Sequence, residues 1–164
     1  MQKLDWIKNK ILRDEDSLLR HINMWKAAGK KIVFTNGCFD ILHHGHLDLL
    51  ARAADFGNIL IVALNTDASV KKLKGEERPV NHEEDRMFQI ASLLCVDVVC
   101  LFDEDTPEQL IQKITPDVLV KGGDYNINTI VGANHVMNNG GKVEIVPFVQ
   151  GYSTTGLIAN IKKL

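Results

Sequence analysis

Apolar residues along this chain recur with two periods. After residue 30 they gather in short runs rich in β-branched side chains: 31–35 (KIVFT), Ile59–Asn65 (ILIVALN), 96–102 (VDVVCLF), 117–121 (DVLVK) and 142–147 (KVEIVP). Several are apolar at successive positions, so both faces need cover, as in a strand with helices above and below it. Between them, 44–56, 83–94, 107–114 and 127–139 carry helical spacing, and a last helix is predicted from about 154 to 162. Alternating strands and helices imply parallel strands joined by crossovers. The predicted fold is therefore α/β: a Rossmann-like, doubly wound, five-stranded parallel sheet with helices on both faces.

Local signals agree with these boundaries. Thr106, Pro107 and Gln109 supply an N-cap, a first-turn proline and a capping-box partner, and Asn81 followed by Glu84 offers the same box. Residues 1–29 read differently. Leu4, Ile7 and Ile11, then Leu18, Ile22 and Trp25, fall at helical spacing, with Gly29 as a stop. The chain thus divides into a helical N-terminal extension, 1–29, and one domain, 30–164. The two short helices are expected to pad the sheet or a subunit contact.

With 164 residues, 45% hydrophobic and 24% charged, the chain is long and apolar enough to bury a core, which excludes disorder. Lys and Arg total 19 against 21 Asp and Glu. No basic excess drives binding to nucleic acid or to an acidic membrane surface. The three cysteines, Cys38, Cys95 and Cys100, form no CxxC and cannot all pair. The first residues mix charges through every turn, unlike a signal peptide. The longest apolar run, 59–64, is far short of the roughly 20 residues that span a bilayer. A cytoplasmic protein with reduced thiols and a small-molecule partner is the expectation.

In open parallel sheets, ligands bind at the carboxyl ends of the strands. The loop after the first strand, 35–46 (TNGCFDILHHGH), holds three histidines within four positions. Three explanations compete. The histidines can simply cap a helix start. His43 and His46, with Asp40 and Asp48 near, can hold zinc, and His43, His46 and Asp40 could then support a hydrolase. Or His43 and His46, at i and i+3 beside a helix N-terminus, can grip phosphate. Gly45 lacks a Cβ and lets a ligand approach; Gly37 lets the strand turn. The combined pattern favours phosphate.

The segment from Gly37 to His46 (GCFDILHHGH) resembles the GxFDxxHxGH signature of the cytidylyltransferase-like nucleotidyltransferases. Further segments narrow the resemblance: LKG at 73–75, RPVN at 78–81, Asp85-Arg86, FDEDTP at 102–107, DVLVKGGDY at 117–125 and GYSTT at 151–155. Together they resemble the D-glycero-β-D-manno-heptose 1-phosphate adenylyltransferases of lipopolysaccharide core synthesis, over roughly residues 30 to 162. Two departures stand out. His44 fills the variable place in HxGH and is expected off the phosphate face. No basic residue follows Ser153, Thr154 and Thr155, where many nucleotidyltransferases carry one.

The resemblance implies attack of a sugar 1-phosphate oxygen on the α-phosphorus of ATP, releasing pyrophosphate. The nucleophile is already ionised, so catalysis reduces to alignment and charge neutralisation. His43 and His46 are expected to donate to phosphate oxygens, with His46 stabilising the transition state, and Lys74 to reach the sugar phosphate. Asn36, Gly37, Cys38 and Phe39 are expected to line the triphosphate, the Cys38 thiol as packing. Arg86 is expected to clamp a phosphate, or else to form a surface ion pair with Asp85 or Glu83. Lys121, Gly122 and Asp124 are expected at the base or ribose, and Ser153, Thr154 and Thr155 at the β- and γ-phosphates. Mg²⁺ is expected with no nameable protein ligand. The resemblance further implies a homodimer and a separate heptose kinase chain upstream. Glycerol 3-phosphate cytidylyltransferase and the pantetheine-phosphate and flavin adenylyltransferases share HxGH and are the nearest alternatives; a non-catalytic nucleotide sensor is a more distant one.

Overall fold

The β-branched runs do form the sheet. In the computed structural model, which describes residues 2–163, five strands lie parallel: β1 (Ile32–Gly37), β2 (Ile59–Asn65), β3 (Val98–Phe102), β4 (Val118–Gly122) and β5 (Lys142–Val146). Their order across the sheet is β3-β2-β1-β4-β5, so the chain reverses direction of travel between β1 and β4. The β1–β2 register runs from Ile32 opposite Ile59 to Gly37 opposite Leu64. The β1–β4 ladder is far shorter, with Val33 opposite Val118 and Phe34 opposite Leu119. Beyond those two positions the strands part, which opens a crevice at their carboxyl ends. This is the α/β architecture that the hydrophobic pattern implies.

Helices cover both faces. On one face, α3 (His44–Ala54) and α5 (Glu83–Ala91) bury Leu50, Ala53, Met87 and Ile90 against Val33, Val62 and Val120. On the other, α6 (Glu108–Ile114) and α7 (Ala133–Asn138) bury Leu110, Ile111, Ala133 and Val136 against Phe34, Ile61 and Leu119. The alternation along each strand sends odd and even positions to opposite cores. The carboxyl-terminal helix α8 (Thr154–Ile161) starts at Ser153, whose hydroxyl accepts from the Gly156 amide at 3.0 Å.

The N-terminal segment is built into this sandwich. Its helix α1 (Lys3–Asn9) packs Ile7 on the α3–α5 face, while α2 (Glu15–Ala27) buries Leu18 and Ile22 on the opposite face. Between them, residues 10–12 run parallel to the outer edge of β3. The Leu12 amide donates to Val99 O at 2.9 Å and the Val99 amide donates to Lys10 O at 2.8 Å. An otherwise open strand edge is thus paired and straddled by a helix on each side.

The structure differs from the sequence pattern in several places. Pro107, and not Thr106, holds the N-cap position of α6, whose first residue is Glu108, and no side chain caps it. β1 continues two residues past the expected end, so Asn36 and Gly37 are strand residues. A helix α4 (Asp67–Lys74), capped by Thr66, fills a stretch to which the periodicity assigned none; Lys74 is its last residue. The stretch 127–139 is divided, because Gly132 at φ +81° breaks it into a 3₁₀ turn (Ile127–Thr129) and α7. Asn81 does not cap α5: His82 occupies that position, and the Asn81 side chain donates to Asp40 O. Among the described residues, no helix is long and apolar enough to cross a membrane.

Since Ile22 is fully buried in the shared core, Ile22→Ala should cost about 3 kcal/mol, the usual scale for deleting a buried aliphatic side chain. Urea denaturation checks this. A loss near zero would mean that α2 is merely laid on the surface.

Candidate active site

The site grows from the end of β1. The chain leaves Gly37 through Cys38 and turns at Phe39, a non-glycine residue at φ +45°. That conformation swings the Phe39 ring back over Gly37; a Cβ on Gly37 would lie 2.9 Å from Phe39 Cε2. The buried ring meets His46 edge-on, with centroids 5.1 Å apart. His46 in turn stacks on His43 at 3.8 Å and 18°. Gly45 leaves the room this stack needs, since a Cβ there would press on the His43 ring at 3.3 Å. The same missing Cβ that admits the His43 ring leaves Gly45 on the wall of a lobe beside the pair.

Burial sets the charge of the pair. Desolvation, then His43 and Lys74, push His46 down to about 4, and desolvation lowers His43 as well. Both rings are therefore neutral at pH 7. The Nδ1 atoms of both are buried with no hydrogen-bond partner. Two such orphans are costly in a folded protein.

Two buried side chains hold the loop in place. Arg86 is fully buried. Its Nη1 donates to Cys38 O at 2.8 Å, Nη2 to Asp67 Oδ1 at 2.7 Å and Nε to Asn81 O at 3.1 Å. The structure thus corrects the expectation of a phosphate clamp or a surface pair with Asp85 or Glu83: Arg86 positions the loop from beneath. Asp40 is also buried, and accepts from Arg78 Nε and from the Val80 and Asn81 amides. Its oxygens are committed to that turn, which removes it from the zinc arrangement. Among the described residues, no group of three or more His, Cys, Asp or Glu is placed to hold a metal.

Three adjoining lobes run across the carboxyl ends of the strands. The first, about 430 Å³, lies between His43, Gly45, His46 and Lys74 on one side and Ser153, Thr154 and Thr155 on the other. The second, about 270 Å³, shares His46, Lys74 and Thr154 with the first and adds Phe39, Lys121 and Gly122. The third, about 400 Å³, shares Asn36, Gly37, Cys38 and Lys121 with the second. It extends past the carboxyl ends of β2 and β3, to Asn65, Phe102, Asp105 and Thr106.

Most residues singled out in the sequence therefore converge. Asp124 and His44 are exposed and line none of the lobes; His44 sits beside Tyr152 instead, at 5.1 Å. The aromatic rim of Tyr125, Phe148 and Tyr152 escaped attention as chemistry. All three rings are about half-exposed or more beside the lobes, at 48%, 65% and 49%. Their signal in the sequence was the placing of large rings within glycine-rich loops.

A lowered His46 has a definite pH consequence. Between pH 6.5 and about 4 the unfolded chain takes up a proton that the folded site resists. This stabilising contribution is complete above pH 6.5 and is lost as pH falls toward 4; it should amount to about 2 kcal/mol once solvent screening is allowed for. NMR titration of the free protein should place the His46 midpoint near 4. A midpoint at 6 or above would show the ring to be solvated.

Comparison with known proteins agrees with this geometry. The Cytidylyltransferase-like family matches residues 34–160. The chain is 57% identical over 141 residues to the bifunctional protein HldE of Marinomonas sp. (strain MWYL1), covering 86% of this chain and 30% of that protein. It is 50% identical over 152 residues to the bifunctional protein HldE of Geobacter sulfurreducens, covering 93% and 31%. The chain thus spans about a third of the length of the curated relatives it matches. A crystal structure of the lipopolysaccharide core biosynthesis protein from Thermoplasma volcanium aligns with a TM-score of 0.59 at 28% identity, covering 76% of this chain and all of that one. The chain belongs to the Cytidylyltransferase-like family.

Proposed function

We propose that this chain transfers AMP from ATP to D-glycero-β-D-manno-heptose 1-phosphate, giving ADP-heptose and pyrophosphate for lipopolysaccharide core synthesis. The observation that carries the reading is the stacked, neutral His43–His46 pair, which lines one lobe with the start of α8. The likeness to the HldE proteins and to a lipopolysaccharide core biosynthesis protein supports the choice of acceptor.

The sugar phosphate oxygen is ionised at pH 7 and needs no base. The rings' task is then to donate to phosphate oxygens as charge builds on the α-phosphate and the leaving group. A neutral imidazole offers one N–H without the full charge that would hold the triphosphate too tightly in the ground state. Lys74, Ser153, Thr154 and Thr155 line the same lobe and serve the pyrophosphate end. The Asp40 carboxylate is committed to Arg78 and Asn81, so the first two lobes offer Mg²⁺ no free carboxylate. In our reading any Mg²⁺ arrives with the triphosphate and its waters.

Pyrophosphate release from ATP or CTP, with heptose 1-phosphate or glycerol 3-phosphate as acceptor, tests the proposal. ATP with heptose 1-phosphate should be the productive pair. Turnover with CTP and glycerol 3-phosphate alone would overturn it. His46→Ala should keep the fold and lower kcat by about 10²–10³, the scale for losing one transition-state donor.

A further inference from the structure

We infer that Lys121 binds the phosphate of the acceptor, and that the third lobe, at the carboxyl ends of β2 and β3, receives the acceptor's sugar. This rests on the transfer reaction proposed above and assigns its second substrate a place.

An in-line displacement at the α-phosphorus sets the incoming oxygen opposite the departing pyrophosphate. The three lobes lie in sequence, and the middle one shares walls with both others. With pyrophosphate leaving toward His43, Lys74 and α8, the acceptor must enter from the far side, through the wall formed by Asn36, Cys38 and Lys121. Charge points the same way. Among the residues lining the third lobe, Lys121 is the one cation and Asp105 the one carboxylate. A triphosphate carries about four negative charges and is ill matched to that wall. A single phosphate at Lys121, with sugar hydroxyls on Asp105, Thr106 and Thr129, matches it.

Lys121 itself is poised for this. The β1–β4 ladder ends at Phe34 and Leu119, and past that point the Lys121 ammonium reaches across the gap to Asn36 Oδ1 at 3.0 Å. Desolvation lowers its pKa. A desolvated ammonium facing a neutral amide is under-compensated, and a phosphate would complete it. Lys74, which the sequence placed at the sugar phosphate, lines the first two lobes and not the third.

Calorimetric titration of heptose 1-phosphate into protein saturated with α,β-methylene-ATP tests this. Lys121→Met should weaken acceptor binding at least about tenfold, the loss expected for a charged hydrogen bond, and should weaken the ATP analogue, whose lobe it also borders, by clearly less. Asp105 is exposed, so Asp105→Asn leaves the fold intact and should weaken the acceptor alone. Acceptor affinity unchanged in Lys121→Met, or analogue affinity falling as far as the acceptor's, would overturn the inference. Should wild-type protein bind heptose 1-phosphate yet release no pyrophosphate from ATP, the transfer reaction fails while the titrations still decide Lys121. Absence of acceptor binding in the wild type would overturn both.

Discussion

One fully buried guanidinium fixes the geometry on which everything else at this site depends. Arg86 ties together the Cys38 carbonyl, the Asp67 carboxylate at the start of α4 and the Asn81 carbonyl ahead of α5. Cys38 lies just beyond the last β1 residue, where the sheet no longer offers its carbonyl a partner. Arg86 replaces the missing ladder from below. Removing one side of such a buried arrangement typically costs about 3–5 kcal/mol, because a charge is left behind without compensation. The same side chain thus stabilises the fold and holds the loop open above it.

The histidine pair inherits its position from that anchoring. With Cys38 held, Phe39 is forced to turn at positive φ, and its ring fills the space over Gly37. His46 then rests on Phe39, and His43 on His46. Each ring is placed by the one beneath it, and each loses water by the same contact. The lowered pKa of His46 and the unpartnered Nδ1 atoms are therefore products of packing, not of neighbouring charges alone. Local strain and unsatisfied polar groups concentrated in a few residues are what a substrate site carries when the surrounding structure is rigid enough to impose them.

The strands, their parallel order and the histidine face were legible from sequence because periodicity and loop position are local properties. Arg86 was visible as a residue but not as a buried one. Its three partners are 5, 19 and 48 residues away, and nothing local distinguishes a guanidinium under a loop from one over a phosphate. The task of Asp40 was hidden for the same reason: a carboxylate among histidines is open to a metal reading until Arg78 and Asn81 fold back onto it. Helix α4 is faint in the sequence because its eight residues carry only Ala68, Val70 and Leu73 as an apolar signal, and tertiary packing of Val70 does the rest. The pairing of residues 10–12 with β3 leaves no trace in a pattern dominated by the helices on either side.

The two ends of the sheet are finished in opposite ways, and this explains why chemistry resides at one of them. At the amino ends, side chains close the ladders: Asp117 accepts from the Ile32 amide at 2.7 Å, Asp97 from the Leu60 amide at 2.8 Å and Asn58 from the Lys31 amide at 2.9 Å. Those donors are satisfied within the protein and offer a ligand nothing. At the carboxyl ends β1 and β4 diverge, and a lysine–asparagine hydrogen bond between side chains spans the gap. A side-chain bond of this kind exchanges readily for one to a substrate, whereas a backbone ladder does not. The polarity of a parallel sheet, closed at its starts and left open at the strand where the topology reverses, is thus sufficient to decide which face of the molecule meets its substrates.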